Sequence, residues 1–554
     1  MIVTPQILWE GYDPQQEALN ATKLVQTATD AANCYSLYFD GEKADNGATI
    51  RIFAKLYTPL EVNKTKNATY FSDNNLVSSL ELKNITAQMV IVFDDILNSV
   101  DDFDPSIYLN EGFCVLVVDY AGSSNNKSRF TIYPKEFNKA NYFLNPEALN
   151  ETDTPKDSSW YIWQTVAMRS CFLANSLGAK NLFMLGVGHG LEMVFKTAYF
   201  DDMIKAGVTQ GSGGVKDAKN LQYTASLDAT AYAQHAKCPI LMQVPSNEQN
   251  GSLDGISALF ETLSKANSDS RFSIEPRSVK YINKKAPLEW FKTILNYDNL
   301  CFTPTISAKV SQDKLYFNIT ADASLDFGVD IGLFVAHIEP NPALRNWRIE
   351  PLQSIGEGEY LATIDVINSE EPLFAFLNIR YNNYLCFCSP ILTINPSILG
   401  IKGITAAQKR LIYDTDMLTL DFINADFCDG SIDNDTLELK DGALGLNGLF
   451  SSKNSLLTFK LTDPQYRGVK EANLQLMIQS KTKQVISFTI LSTLNFTHYT
   501  ATKEFSSTDS WTKVSLSPTD FKSINGEILS SWQNILTFNI TSSEEFLLNS
   551  MLWV

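Results

Sequence analysis

The sequence predicts a multidomain protein: a doubly wound, mostly parallel α/β domain over residues 1–300, then two all-β sandwiches over 301–400 and 401–554. Three observations carry this. At 554 residues the chain exceeds what one hydrophobic core organises. Between residues 88 and 295, short apolar runs alternate with stretches of helical period, the pattern of strands joined by right-handed helical crossovers. Beyond about residue 300 the helical period gives way to alternating strands separated by turn signals.

Cys34–Gly41 and Ala48–Tyr57 alternate and are rich in β-formers, so the chain opens with antiparallel strands, closed by Thr58-Pro59. Asn63–Asn75 reads as a polar loop. Gln88–Phe93 and Phe113–Val118 are apolar throughout, as strands buried on both faces are. The polar segment 123–159 is long for a loop, which predicts an insertion over one end of the sheet. Asp157-Ser-Ser-Trp160 offers cap residues to a helix that carries Trp160, Trp163, Val166, Cys171 and Ala174 near 3.6 spacing and stops at Gly178. A strand to Leu185, a glycine-rich turn and a helix from Leu191 follow. Strands are then expected at Met203–Thr209, Cys238–Pro245 and Arg271–Pro276, with helices over 253–266 and Leu288–Leu295. The immunoglobulin-sized unit places strands at Thr305–Thr320, Asp330–His337, Glu359–Val366 and Leu373–Pro390, and Asn395–Thr405 reads as a linker. The last unit places them at Leu456–Leu461, Ala472–Ile478, Val485–Ile490, Trp511–Leu516 and Leu536–Ile540, spacing that suits a jelly roll.

A net charge of −18 argues against nucleic acid or an anionic membrane as partner, because both would repel the chain. No apolar run approaches the ~20 residues that span a bilayer. Met1–Glu10 shows neither the basic nor the apolar region of a secretion signal, so the expected location is cytoplasmic, or secreted if the N-terminus is processed. The eight cysteines are scattered, several within apolar runs, and read as buried free thiols. Cys386-x-Cys388 has no second pair or nearby histidines, which argues against a zinc site. Triplets such as those at Asn67, Asn84, Asn150 and Asn495 reflect an Asn/Ser/Thr-rich composition rather than glycosylation.

The first domain is organised around Asn181–Phe195, where an apolar strand meets a glycine turn that opens a helix. That is the setting of a nucleophile elbow, written G-x-S-x-G. Here it reads Gly186-Val187-Gly188-His189-Gly190: the frame glycines are present, but the nucleophile position has no side chain. Taken with Arg51–Pro59, Gly112–Gly122, Trp160-Tyr-Ile-Trp163 and Cys238–Met242, it makes residues 1–300 resemble the acetyl xylan esterase and cephalosporin-C deacetylase type of α/β-hydrolase. Trp511–Phe521, Leu529–Ile535 and Leu552-Trp553 resemble a carbohydrate-binding jelly-roll module.

The resemblance implies ester hydrolysis by serine, acid and histidine in that order. Gly188 occupies the serine position. Glu248, after the strand ending near Val244, is a remnant acid. The loop Pro276–Tyr281, where the histidine belongs, contains none, and His235, His337 and His498 lie elsewhere in the order. Losing the nucleophile or base of such a triad costs about 10⁶ in turnover. One oxyanion donor would be the backbone N–H of His189. The other would come from the turn after Phe93, where Asp94-Asp95 stands, and a carboxylate there opposes a developing oxyanion.

His189 itself either points into the cleft as a base or serves as a hydrogen-bonded residue at the helix start. Ser212, in Gly211-Ser-Gly-Gly214, reads as part of a flexible turn, and that glycine spacing is not a dinucleotide fingerprint. Trp160, Tyr161 and Trp163 either line a ligand pocket or pack their helix onto the sheet. Trp511 and Trp532 are candidates to stack on glycan. No metal cluster or cofactor is expected, with Asp421 and Asp426 as weak calcium candidates in the C-terminal unit. The expected function is that of a pseudo-esterase, catalytically inactive, that binds carbohydrate or another protein. The alternatives are an ester hydrolase using His189 as base, and a purely structural subunit.

Overall fold

The computed structural model describes residues 2–28, 32–59, 87–127, 129–152, 154–213, 220–248, 251–278, 283–296, 300–311, 314–322, 330–337, 341–381, 384–402, 409–416, 424–426, 431–433, 437–492 and 496–554. Its first part is a nine-stranded sheet. The strands are β1 (Thr22–Ala28), β2 (Ala32–Lys43), β3 (Thr49–Pro59), β4 (Gln88–Phe93), β5 (Cys114–Val118), β6 (Asn181–Val187), β7 (Ile204–Gln210), β8 (Ile240–Pro245) and β9 (Arg271–Glu275). They lie in the order β1-β2-β3-β5-β4-β6-β7-β8-β9. The pairs from β1 to β5 are antiparallel, and every pair from β5 across to β9 is parallel.

The central runs are apolar throughout because both faces are covered. The helices are α1 (Pro5–Leu8), α2 (Ser106–Leu109), α3 (Ser159–Ser176), α4 (Leu191–Phe200), α5 (Leu221–Ser226), α6 (Ala229–Ala233), α7 (Leu253–Ala266) and α8 (Ala286–Asn296). Side chains of α3, α4, α6 and α7 pack on one face of the sheet, and those of α2 and α8 on the other. Ser158 caps α3, its hydroxyl accepting from the N–H of Trp160. Segment 123–159 forms short 3₁₀ turns rather than a plain loop. Among the bonds that tie it to the sheet and its helix, Arg51 and Ile132 exchange backbone bonds at 3.0 and 2.9 Å, Thr131 N–H donates to Asp119 at 2.7 Å, and Trp163 Nε1–H donates to the carbonyl of Ala140 at 2.7 Å.

Between β5 and β6 the winding reverses, so β4 sits with its chain successors on either side. The crevice outside the carboxyl ends of strands at such a switch point is where open α/β sheets bind ligands. Phe93 pairs with Gly186 there, which sets the turn after β4 against the turn after β6.

Among the described residues the middle region holds nine strands: β10 (Thr305–Ser311), β11 (Lys314–Thr320), β12 (Asp330–His337), β13 (Arg348–Glu350), β14 (Gln353–Gly356), β15 (Glu359–Ile364), β16 (Leu373–Arg380), β17 (Cys386–Cys388) and β18 (Leu392–Ile394). The expected strands at 305–320 and 373–390 are each two, because the chain turns back within them. One sheet runs β10-β11-β15-β14, the other β13-β12-β16-β17 with β18 on β16, and their inward residues share one core. The outer face of the second sheet, including Trp347, Phe374 and Phe376, packs into the first domain.

The last region contains β19 (Leu411–Asp414), β20 (Asn424–Asp426), β21 (Ser431–Asp433), β22 (Leu437–Asp441), β23 (Asn447–Ser451), β24 (Ser455–Thr458), β25 (Leu474–Gln479), β26 (Gln484–Ser492), β27 (His498–Phe505), β28 (Thr512–Leu516), β29 (Ile535–Ser542) and β30 (Leu547–Trp553). A six-stranded sheet led by β22-β23-β30-β25-β28 and a four-stranded sheet β24-β29-β26-β27 bury one core between them. No described helix is long and apolar enough to cross a membrane. The described cysteines are free thiols. Cys428, Asn67, Asn84, Asn495 and the loop Asn63–Asn75 lie outside the described residues.

Candidate functional site

The elbow is built as its glycines require. Strand β6 ends at Val187, a 3₁₀ turn covers Gly188–Gly190, and α4 starts at Leu191. A Cβ on Gly186 would stand 2.7 Å from the carbonyl carbon of Gly190, and one on Gly190 would stand 2.8 Å from that of Phe93. Both positions therefore need glycine, because backbone passes where a side chain would go. Gly188 has φ +52, the left-handed conformation in which a nucleophile elbow holds its apex.

What faces Gly188 decides the chemistry. A Cβ there would stand 2.7 Å from the carboxyl carbon of Asp95 and 3.0 Å from its Cβ, so the Asp95 side chain occupies the room a nucleophile would need. Asp95 reaches it from the turn after β4. Its Oδ2 accepts the backbone N–H of His189 at 3.1 Å and lies 3.0 Å from His189 Nδ1. The second contact is carried by the Nδ1–H tautomer or the imidazolium. Its Oδ1 accepts from Leu97 N–H at 3.0 Å. Burial pushes the Asp95 carboxyl up, but the His189 bond and charge and these amides outweigh it and hold it below the usual range. The N–H expected to serve as an oxyanion donor is thus already taken by a carboxylate of the same chain.

Glu248 lies in the same neighbourhood, after β8, with Oε1 3.2 Å from where a Cβ on Gly211 would stand. Burial pushes its carboxyl up to about 7; the Ser212 hydroxyl and amide pull it down, Asp95 raises it and His189 lowers it. Ser212 is completely buried. The turn packs beneath the elbow: a Cβ on Gly213 would stand 2.6 Å from the Gly188 carbonyl oxygen.

The loop that should hold a histidine is used for docking. Arg277 adopts φ +55 and donates its backbone N–H to the Ser246 hydroxyl at 2.7 Å and its Nε–H to the carbonyl of Trp347 at 2.6 Å. Beside it Asn247 donates to the carbonyls of Ala343 at 3.1 Å and Arg345 at 2.8 Å. Residues 279–282 of that loop lie outside the described ones. None of the remaining histidines is brought to the elbow. His235 is exposed against Gln6, His498 is on β27, and His337 is buried in β12, where burial pushes its imidazole down to about 4.

The aromatic candidates are mostly corrected. Trp163 and Trp532 are fully buried and present no face to a ligand; Trp532 donates its Nε1–H to the carbonyl of Ala472 at 2.8 Å. Trp160 is 4% exposed, with its ring stacked 6.4 Å from that of His189. Tyr161 stacks on Trp9 with centroids 4.5 Å apart. Trp511 alone of the C-terminal pair is half-buried, lying against Gly442 and Gly448 with its Nε1–H on the carbonyl of Ala443 at 2.9 Å. Asp421 lies outside the described residues, and only the backbone of Asp426 is described, in β20. Among the described residues no group of three or more His, Cys, Asp or Glu is placed to hold a metal.

Acetyl xylan esterases and other esterases are similar to this chain over about half its length. Acetyl xylan esterase 1 from a Thermoanaerobacterium species is 13% identical, with 51% of this chain and 90% of that one covered at a TM-score of 0.36. A cold-adapted esterase from an Arctic intertidal metagenomic library is 11% identical, with 50% and 99% covered at 0.32. A family 6 carbohydrate-binding module is 12% identical, with 22% and 82% covered at 0.16. No family model and no curated protein matches the sequence.

Sequence reasoning placed Gly188, His189 and Glu248 in one region but treated Asp95 only as an unfavourable neighbour of an oxyanion. Its occupation of the apex was missed. The signal was the pairing of Asp94-Asp95 at the end of one strand with a glycine at the end of the next.

Proposed function

We propose that this protein is a pseudo-esterase: a non-catalytic α/β-hydrolase domain that serves binding or assembly, with carbohydrate as the ligand class. The observation that carries it is the Asp95 carboxylate seated over Gly188 and bonded to the His189 N–H. A substrate carbonyl entering this elbow meets a negative charge where it needs a donor, and no side chain at the apex to attack it. In this reading the domains span 1–300, 301–400 and 401–554, the second an immunoglobulin-like sandwich and the third a jelly roll. Binding by the C-terminal unit would run through Trp511, which is only half-buried, rather than through Trp532.

The test is labelling with a fluorophosphonate probe, which marks activated serines. No adduct is expected on the native protein. An adduct on any serine of residues 1–300, lost in His189→Ala, would establish the competing reading of an ester hydrolase. That reading has one observation in its favour, the 3.0 Å contact of Asp95 with His189 Nδ1, which is how an acid orients a catalytic base.

A further inference from the structure

Beside the elbow, between the turns after β4 and β5, lies a small recess lined by Asp94, Asp95, Asn98, Asp119, Tyr120 and Ser123 together with three valines, with a volume of ≈ 10 Å³, room for one water-sized group. It adjoins the switch-point crevice, sharing Asp95 with it. Three of its lining side chains are carboxylates. Asp119 is 3% exposed, and its oxygens accept the N–H groups of Thr131 at 2.7 Å and Ser124 at 3.3 Å. Asp94 Oδ1 accepts from Asp95 N–H at 2.7 Å and Asn98 Nδ2 at 3.0 Å. Tyr120 is 2% exposed, yet its hydroxyl makes no hydrogen bond among the described residues. The charges that most disturb that hydroxyl are Asp95 and Asp94, which places it against the carboxylates of the recess. A phenol buried without a partner is costly, and here it stands beside excess negative charge.

The geometry points to a binding site for a primary ammonium group carried on a small carbon skeleton, an amino sugar in the carbohydrate reading on which this inference rests. An ammonium is water-sized, donates three bonds and accepts none, which suits oxygens that can all accept. Its charge answers the carboxylates as water cannot, and the raised carboxyls of Asp94 and Asp119, both driven by burial, fit a recess short of positive charge. A metal ion is a poorer match because the Asp119 oxygens are held by backbone amides. Leu97, between the lining residues Asp95 and Asn98, is 74% exposed and offers an apolar surface to the skeleton. The site's preference has thus inverted: an esterase elbow complements a developing anion, whereas this cleft complements a cation.

Saturation-transfer NMR with glucosamine, N-acetylglucosamine and methylammonium tests this on the full chain. Glucosamine and methylammonium should bind, N-acetylglucosamine should not, and Asp94→Asn should weaken both by roughly tenfold, the effect of removing one close charge. Tyr120→Phe supplies the control for folding. A purely structural role predicts equal or greater thermal stability and unchanged binding, whereas a ligand-contacting hydroxyl predicts unchanged or greater stability with binding weakened severalfold. Equal binding of the acetylated and free sugars, or binding unmoved in both variants, would overturn the proposal. Methylammonium binding without glucosamine would overturn the amino sugar and leave the cation recess standing. Glycan binding confined to the C-terminal unit, with no amine bound, would overturn the recess and spare the carbohydrate reading.

Discussion

Restoring a serine at the apex should damage the fold before it does anything for chemistry. In Gly188→Ser the new side chain must adopt the φ of +52 and displace Asp95. A non-glycine residue in that conformation costs about 1–2 kcal/mol. The displaced carboxylate loses its bonds to His189 N–H at 3.1 Å, His189 Nδ1 at 3.0 Å and Leu97 N–H at 3.0 Å. Asp95 is 20% exposed at its side chain, so water recovers part of that loss and about 1–3 kcal/mol remains. The sum, ~2–5 kcal/mol, lowers the unfolding temperature of the first domain by roughly 4–10 °C. The double variant Asp95→Ala with Gly188→Ser removes the collision but not the backbone cost, so it should recover part of the loss, a non-additivity of about 1–2 kcal/mol. Differential scanning calorimetry of the wild type, both single variants and the double measures this. A single Gly188→Ser variant within 1 °C of wild type, or strict additivity, would refute the claim that Asp95 fills the apex.

Three further outcomes follow from the same contacts. Glu248, raised by burial to about 7 from an ordinary 4.5, takes up a proton on folding between those values, so its contribution to stability falls as pH rises through that window. Glu248→Gln should match wild type near pH 4 and exceed it by about 3 kcal/mol near pH 8, read by thermal melts at both. Arg345 is 1% exposed, bonds Asp254 through two contacts of 2.6 Å and lies 3.4 Å over the Phe374 ring. Arg345→Ala should loosen the middle region from the first domain at a cost of about 2–3 kcal/mol, seen as faster limited proteolysis between them; the cost stays modest because Asp254 is 41% exposed at its side chain and regains water. Trp532→Ala should unfold the C-terminal region by removing about 3–5 kcal/mol of packing, whereas Trp511→Ala, which loses a half-buried ring and one bond to Ala443, should cost less, about 1–2 kcal/mol, and weaken glycan binding on an array.

Much of the first domain was legible because strands covered on both faces are apolar without alternation. Gln88–Phe93 and the helix over 253–266 stand where their periodicity put them. The β-rich regions were less legible. Thr305–Thr320 reads as one alternating run, and only the pairing of β10 with β11 reveals a hairpin. Strands β22, β23, β27 and β30 were missed: β22 and β27 are edge strands, which carry weak period-two signals, whereas β23 and β30 lie inside their sheet.

At the site, the sequence revealed what was missing and not what had replaced it. Gly188 and the histidine-free loop are statements about single positions. The seating of Asp95 over the apex depends on β4 and β6 being neighbours in register, a long-range fact that no local pattern encodes. The burial of Ser212 and Trp163 likewise comes from tertiary packing: one sits under the elbow, the other beneath the insertion.

The most direct measurement is initial-rate hydrolysis of p-nitrophenyl acetate and acetylated xylo-oligosaccharides by the wild type, alongside His189→Ala and Asp95→Ala. No side chain at position 188 can attack in any of the three, and in the wild type and His189→Ala the His189 N–H is also taken by Asp95, so all three should match the buffer rate. Turnover by the wild type above that rate, abolished by His189→Ala, would contradict the account.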